Sequence, residues 1–535
     1  MIRILFTILF LSILSIGYSC TNVIVTKGAS ADGSCMLVYT NDGEWLFPIS
    51  VTMAQKHLLG DSLHLTNRWG QTTVLPQPEQ TFHVIGFQMN EFQVAVGETT
   101  FVGREELWYK GKGLEYWQLM TLALQRATTA REAINVMTSL AEKYGYASEG
   151  ESFSICDPNE AWILEMIGTG GEEGVVWVAR RIPDGMISAH ANLARVGEVH
   201  LRDKENTLYS KNLISFAKRK GYYDGKKEFK FNEVYCPATP SSLRYCETRV
   251  WSIFRRANPE LLLSPDYHRG VPGAERYPLF ITPAHKLTQQ EVFYLVRDHY
   301  EGTPYYMGKG IDGGPFETPN RNRPLAWADS TGQECAWERT ISTPNTCFSY
   351  VACCRANLPN YIGGKIWFGV DDTWYTCYHP IYCQQTRIAE PFNHGDLNHY
   401  DRNVAFWAFN FVSNFSNLRY RDMMPLIQKE QKHWENQFLT QADSIETQAL
   451  RLNQSDGIEF LTEYSSKAGK DLHEAWIKLG DHLITKFNDG YIKDDQGSPQ
   501  TAPYPQSWLN MLLQKDNPDR FITGKPKKDS EYHPF

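Results

Sequence analysis

Several familiar catalytic signatures are absent from this sequence. There is no GxSxG, which excludes the nucleophile elbow of a serine α/β-hydrolase. There is no HExxH and no P-loop, so neither a helix-borne zinc protease site nor a phosphate-cradling loop is present. No CxxC pair occurs, and the adjacent Cys353-Cys354 lacks zinc spacing, so no metal site is expected. Basic charge is not in excess. Lys and Arg number 53 against 61 Asp and Glu, for a formal net charge of −8. That balance argues against a nucleic-acid partner and against an anionic membrane surface. Past the first twenty residues no apolar run approaches the roughly 18 residues of a membrane span. Internal repeats and low-complexity tracts are also lacking.

What is present begins at the N-terminus. Arg3 supplies a positive start, Ile4 to Ile16 is mainly apolar, and Gly17 and Ser19 occupy the −3 and −1 positions of a cleavage site. Residues 1–19 read as a signal peptide cut between Ser19 and Cys20. The product is expected to be exported, periplasmic or extracellular. A lipoprotein cysteine is the rival reading. That signal wants Leu or a similar residue at −3 and a small one at −2, where this chain has Gly17 and Tyr18. Cleavage would leave Cys20 with a thiol and a free α-amino group on one residue.

Eleven cysteines are spread through the chain. Export permits disulfides, and Cys236/Cys246 and Cys377/Cys383 are close enough in sequence to pair. Buried free thiols are the alternative.

At 42% hydrophobic and 13% aromatic, 535 residues can bury a large core. Thr21–Lys27, a turn at Gly28–Gly33 and Cys35–Thr40 predict a hairpin starting at Cys20. Its second strand ends on Asn41-Asp42-Gly43, so Asp42 can return to Cys20. An Asx-turn before Gly43 is the plainer account of Asp42. Further strands are expected at 83–88 and 92–96, followed by Gly97-Glu98-Thr99. Helices follow over Tyr116–Ala127 and from the capping box Thr129-x-x-Glu132 to Gly145. Strand pairs come next at 152–156 with 161–165, and 174–180 with 186–192, the last ending on Asn192. Glu247–Ala257 reads as a helix carrying Arg249. Thr288-x-x-Glu291 opens another through Tyr300. Strands recur at 347–353 and 364–370. Residues 422–490 have helical spacing, with no proline between Pro425 and Pro499. The order predicts an antiparallel α+β domain over 20–402, then a mainly helical region with a loose tail over 403–535.

An N-terminal Cys, an Asp closing its partner strand and an Asn closing another strand suffice physically for amide hydrolysis. The α-amino group titrates at about 7.7–8.0 and the thiol at about 8.5, so the amine can take the thiol proton near neutrality. Asp42 could orient the amine, Asn192 could donate to the oxyanion, and Arg249 could hold carboxylates.

The ordered stretches Cys20-Thr21-Asn22-Val23-Ile24-Val25, Gly97-Glu98-Thr99, Gly150-Glu151-Ser152, Ala191-Asn192, His299-Tyr300-Glu301-Gly302-Thr303-Pro304 and Arg339-Thr340-Ile341-Ser342 resemble one family. It is the dipeptidase A family of N-terminal-nucleophile cysteine hydrolases, whose relatives include bile salt hydrolase, penicillin V acylase and the secernins. The resemblance implies a four-layer αββα sandwich and a cofactor-free peptidase acting on dipeptides or short peptides, as a homo-oligomer. It implies Cys20 as nucleophile, Asp42 as amine-orienting acid, Asn192 as oxyanion donor and Arg249 as supporting arginine. Glu98 falls, by position, near the family's second oxyanion contributor, and Glu98 and Thr99 are the expected substrate contacts. A non-peptide acylase of the same chemistry is the alternative, and a lipid-anchored binding protein a third. One departure stands out. Relatives usually carry Arg-Asn just before the catalytic Asp, whereas Tyr39-Thr40-Asn41 precedes Asp42, so that arginine's charge must come from elsewhere or be absent.

Overall fold

The computed structural model describes residues 20–43, 48–172, 174–515 and 521–524. The expected signal peptide, and most of the tail after 515, lie outside the described residues.

Two antiparallel sheets form the centre. Their strands, in chain order, are β1 (Thr21–Val25), β2 (Cys35–Asp42), β3 (Val51–Thr52), β4 (Val84–Ile85), β5 (Met89–Asn90), β6 (Ala95–Phe101), β7 (Gly150–Cys156), β8 (Ala161–Ile167), β9 (Val176–Arg181), β10 (Ile187–His190), β11 (Thr207–Tyr209), β12 (Phe280–Ile281), β13 (Thr346–Cys354), β14 (Lys365–Val370) and β15 (His379–Tyr382). One sheet runs β12-β10-β1-β2-β13-β14-β15. The other runs β11-β9-β8-β7-β6-β5-β4-β3. The sheets pack face to face where β1 and β2 meet β6 and β7.

Helices cover both outer faces. On the eight-stranded sheet lie α1 (Tyr116–Arg126) and α2 (Ala130–Tyr144), which bury Leu119, Ala123, Ile134 and Met137 against Val96, Phe153 and Leu164. Over the seven-stranded sheet lie α3 (Pro240–Ala257), α4 (Gln289–Leu295), α5 (Ala405–Ser416), α6 (Tyr420–Leu450) and α7 (Gln454–Phe487). The result is the four-layer αββα sandwich with a helical C-terminal region. Because β1 and β2 are buried on both faces, residues 23–25 and 35–39 read as continuous apolar runs rather than as alternating ones.

Local chemistry sets the boundaries, and in places departs from the sequence reading. Thr129 caps α2 by accepting from the Glu132 N–H at 3.2 Å, as expected. Glu132 does not close the box on Thr129, however. Its Oε2 accepts from the backbone N–H of Thr128 at 2.8 Å and the Thr128 hydroxyl at 2.6 Å. The expected strands at 83–88 and 92–96 are shorter and shifted. The Asn90 side chain accepts from the N–H groups of Phe92 and Val94, which closes a turn where a strand was expected. Helix α4 opens on its capping box but stops at Leu295 rather than Tyr300. Asp298 captures the Tyr300 N–H at 3.0 Å, and Tyr300 sits at φ 66°, outside helical space.

All eleven cysteines are free thiols, so the expected pairs Cys236/Cys246 and Cys377/Cys383 do not form. Three of these thiols are directed at carbonyls instead. Cys246 donates to Asn192 O at 3.4 Å, Cys377 to Gln431 O at 3.8 Å and Cys383 to Asn360 O at 3.1 Å. Nearness in sequence does not aim two Cβ vectors at each other. A pair far apart in sequence, Cys156 and Cys354, brings its sulfurs to 3.8 Å between the two sheets.

Among the described residues, no helix is long and apolar enough to cross a membrane.

Candidate active site

Cys20 immediately precedes β1 and is 1% exposed. The β1–β2 register pairs Thr21 with Thr40, so the next step sets Cys20 opposite Asn41 and beside Asp42. The backbone N–H of Thr21 donates to Thr40 Oγ1 at 3.1 Å, which locks that step.

The hairpin thus brings Asp42 back to Cys20, and Asp42 is not a turn residue but the last residue of β2. Its carboxylate accepts from Thr346 Oγ1 at 2.5 Å and from the guanidinium of Arg339. This answers the missing arginine: the positive charge beside Asp42 comes from Arg339, far along the chain. Burial pushes the Asp42 carboxyl above its ordinary range, against the pull of Arg339 and Thr346. Burial works to lower the Arg339 guanidinium, but the Asp42 charge holds it above its usual value.

Arg249, on α3, joins the nucleophile candidate to the end of β10. Its Nη1 donates to Cys20 O at 2.7 Å and Thr21 Oγ1 at 3.0 Å. Its Nη2 donates to Ala191 O at 3.2 Å and Asn192 Oδ1 at 3.0 Å. Such a planar fork is what arginine supplies and lysine does not. Asn192 bends the chain at φ 61°, a conformation Asn tolerates. Its Nδ2 donates to Thr100 O at 2.7 Å. Just beyond, buried Arg195 donates to Glu247 at 3.1 Å and Ala189 O at 2.8 Å, which fixes the bend.

Glu98, on β6, lies on the other side of the sulfur. Cys20 Sγ is 3.6 Å from Glu98 Oε1 and 3.8 Å from the Tyr39 hydroxyl. Tyr39 donates to Glu98 Oε1 and accepts from Asn41 Nδ2 at 2.7 Å. Burial raises the Cys20 thiol well above its ordinary value, and the charges of Glu98 and Asp42 add to that. The thiol therefore stays protonated until a base takes its proton.

Thr99 is placed differently from its neighbour. Its hydroxyl meets His190 Nδ1 at 2.7 Å, and His190 Nε2 meets Ser154 Oγ at 2.7 Å. Burial drops His190 to about 3, so this inter-sheet chain is neutral. The Thr99 hydroxyl is thereby paired with His190 rather than with Cys20. The structure thus gathers Cys20, Asp42, Asn192, Arg249 and Glu98, and adds Arg339, Tyr39 and Thr346. Arg339 and Tyr39 stood in the compared motifs, but their partners depend on register between distant strands.

A cavity of about 490 Å³ lies elsewhere, lined by Phe316, Phe415, Arg419, Met423, Phe487 and Tyr504 among the C-terminal helices. It shares no residue with the cluster around Cys20. No group of His, Cys, Asp and Glu with metal-holding geometry occurs among the described residues.

The fold and the cluster at the first strand define an α+β hydrolase architecture with a cysteine leading the central hairpin. Peptidase family C69 matches residues 63–433, and the chain belongs to that family. The match spans Glu98, Asn192, Arg249 and Arg339, and begins after Cys20 and Asp42. Similar proteins include a probable dipeptidase of Latilactobacillus sakei, 23% identical over 88% of this chain and 95% of its own length. A probable dipeptidase of Salmonella dublin is 26% identical over 70% of this chain and 82% of its own. Dipeptidase A of Lactobacillus helveticus is 22% identical over 75% and 82%.

Proposed function

We propose that this peptidase is an exported dipeptidase whose nucleophile is Cys20, freed as an N-terminal residue by cleavage after Ser19. The observation that carries this reading is the convergence of Asp42, Arg249 and Glu98 on a cysteine at the head of β1. The dipeptidase names of the relatives support the substrate class.

In the uncut chain the Cys20 nitrogen is an amide and cannot act as a base. Cleavage turns it into an amine whose pKa, about 7.7–8.0 in a model peptide, suits proton transfer at neutral pH. The amine takes the thiol proton as sulfur attacks the scissile carbonyl, and then passes it to the leaving amine. Asp42, held by Arg339 and Thr346, orients that amine and stabilises its protonated form. Arg249 fixes the Cys20 carbonyl so that the sulfur and amine keep one geometry. Asn192 lies on the same guanidinium fork, and its amide is the side-chain donor for the oxyanion. To serve there, its Nδ2 turns from Thr100 O or shares its second hydrogen. Water then resolves the acyl-enzyme.

The test uses the chain that begins at Cys20. Mass spectrometry of the mature protein should show an unmodified N-terminal cysteine; an acylated one sinks the proposal. Cys20→Ala and Cys20→Ser should lose dipeptide hydrolysis while keeping the wild-type fold by circular dichroism. Assaying dipeptides beside conjugated bile salts and acyl amides separates peptidase from acylase.

A further inference from the structure

Next to Glu98 lies a second carboxyl group, that of Glu151, which the mechanism above does not use. Glu151 stands on β7, where β6 pairs Thr100 with Glu151 and Glu98 with Phe153. Glu98 is 1% exposed and Glu151 is fully buried. Each carboxyl has one oxygen satisfied. Glu98 Oε1 accepts from the Tyr39 hydroxyl, and Glu151 Oε1 accepts from Thr100 Oγ1 at 2.8 Å. Glu98 Oε2 and Glu151 Oε2 have no donor among the described residues. Each of these carboxyls has the other as neighbour instead. Two carboxyl groups side by side repel when both are ionised, so a doubly charged pair is disfavoured in this buried place. Burial, with mutual repulsion added, raises Glu151 well above its ordinary range. With no other donor reaching these two buried oxygens, a single cationic donor between them would satisfy both and offset their charge.

Geometry says where that cation would stand. In an amino acid the α-nitrogen is separated from the carbonyl carbon by the N–Cα and Cα–C bonds, about 2.5 Å in all. In a near-attack pose the sulfur is roughly 3–3.5 Å from that carbon. The α-nitrogen of a bound dipeptide therefore falls within about 6 Å of Cys20 Sγ. Glu98 Oε1 is 3.6 Å from the same sulfur. We propose that Glu98 and Glu151 together bind the free α-ammonium group of the substrate's N-terminal residue, and so restrict the enzyme to peptides with an unblocked amino end.

This rests on the dipeptidase reading and deepens it. An ammonium offers three donors, enough for Glu98 Oε2, Glu151 Oε2 and one further acceptor. It brings positive charge to the two carboxyls, whereas an N-acyl amide brings one N–H and no charge. The anchor also sets the length of the substrate on its amino side, since a residue placed before the scissile one would collide with the two carboxyls.

The experiment uses the chain beginning at Cys20 with Cys20→Ala, so that binding is read without turnover. Calorimetry at pH 7 compares Ala-Ala and Leu-Leu with their N-acetyl forms. Binding of the free dipeptides should be at least about 30-fold tighter. Glu151→Gln should weaken the free dipeptides by about 10- to 100-fold and leave the N-acetyl forms unchanged. Equal affinity for free and acetylated peptides overturns the anchor, as does an equal loss for both in Glu151→Gln. The first comparison needs no glutamate variant, so a misfolded Glu151→Gln does not shield the proposal. Activity assays on the unsubstituted chain separate the two readings. Equal cleavage of free and acetylated dipeptides removes the anchor and leaves the peptidase. Selective binding of free dipeptides without their cleavage removes the peptidase and leaves the anchor.

Discussion

Arg339 binds the Asp42 carboxylate although 297 positions separate the two residues in the chain. Both are nearly fully buried, at 1% and 2% exposure, so neither charge has water to fall back on. Removing one member of such a pair costs roughly 3–5 kcal/mol, because the other stays buried and unpaired. Arg339→Met should lower stability by that amount in urea unfolding. Asp42→Asn should do so less, since the amide still accepts a hydrogen bond from Thr346. It should nonetheless lose at least about 100-fold in kcat, because the Cys20 amine loses its anionic partner. A variant Asp42→Asn with wild-type kcat would detach Asp42 from the chemistry.

Tyr39 gives a second, narrower expectation. Its hydroxyl donates to Glu98, accepts from Asn41 and lies 3.8 Å from Cys20 Sγ. Tyr39→Phe keeps the ring, which packs edge-on against Phe348 and Tyr350. It strips Glu98 of its donor and should cost about 1–2 kcal/mol. With that donor gone, the ionised form of Glu98 loses a stabilising hydrogen bond, and Glu98 meets the substrate less often as an anion. KM for dipeptides should rise about tenfold, with kcat changed far less. A fall confined to kcat would place the hydroxyl in proton transfer instead.

The limits of sequence reading show in these same residues. The β1–β2 hairpin was legible because its strands and turn are contiguous, and it brought Asp42 to Cys20. Arg249 and Asn192 were legible through resemblance, although nothing in their local sequence says that one guanidinium ties both together. Glu151 stood in a compared motif without a role. Its partner across β6 is fixed by sheet register, which no local pattern encodes. Thr99 stands next to Glu98 but meets different partners. Its hydroxyl meets His190 of β10, whereas the Glu98 carboxyl meets Tyr39 of β2.

Asp371 carries a pH prediction. It is fully buried, and burial raises its carboxyl to about 7. A carboxyl raised in the folded state binds more protons there than in the unfolded chain. Its stabilising effect is complete below the ordinary carboxylate pKa of about 4, and is lost as pH climbs through about 7. Asp371 thus makes the protein less stable at pH 8 than at pH 5. Asp371→Asn removes the titrating charge and still accepts from Asn410 Nδ2, now at 2.8 Å. Asn also suits the left-handed backbone at φ 67°. The variant should gain about 1–3 kcal/mol at pH 8 and nothing at pH 4, for a flatter stability curve. Thermal melts across pH 4–8 read this directly. A parallel shift at every pH would show that Asp371 does not titrate in that window.

Glu446 decides whether the C-terminal helices can be removed. It projects from α6 into four donors of the sandwich. Arg355 Nη1 donates at 2.6 Å, Arg355 Nη2 at 3.0 Å, Lys365 Nζ at 2.9 Å and the Tyr382 hydroxyl at 3.1 Å. Burial works against its charge, but Lys365 and Arg355 hold the carboxyl below its ordinary range. Lys365 is itself fully buried and already lowered by desolvation. Glu446→Gln would therefore strand two cations beneath the helix, at a cost of roughly 3–5 kcal/mol. The exposed pair Arg387–Glu459, at 43% and 54% side-chain exposure, supplies the contrast. Glu459→Gln should cost less than about 1 kcal/mol. A chain ending at residue 402 would lose Glu446 together with Glu435, which pairs with buried Arg297, and would bare the apolar face that α5–α7 cover. It should aggregate or expose dye-binding surface instead of retaining dipeptide turnover. If such a truncated chain were monomeric, stable and active, the helices would be an appendage, and the buried charges of Arg355 and Lys365 would have to be neutralised by water in their absence.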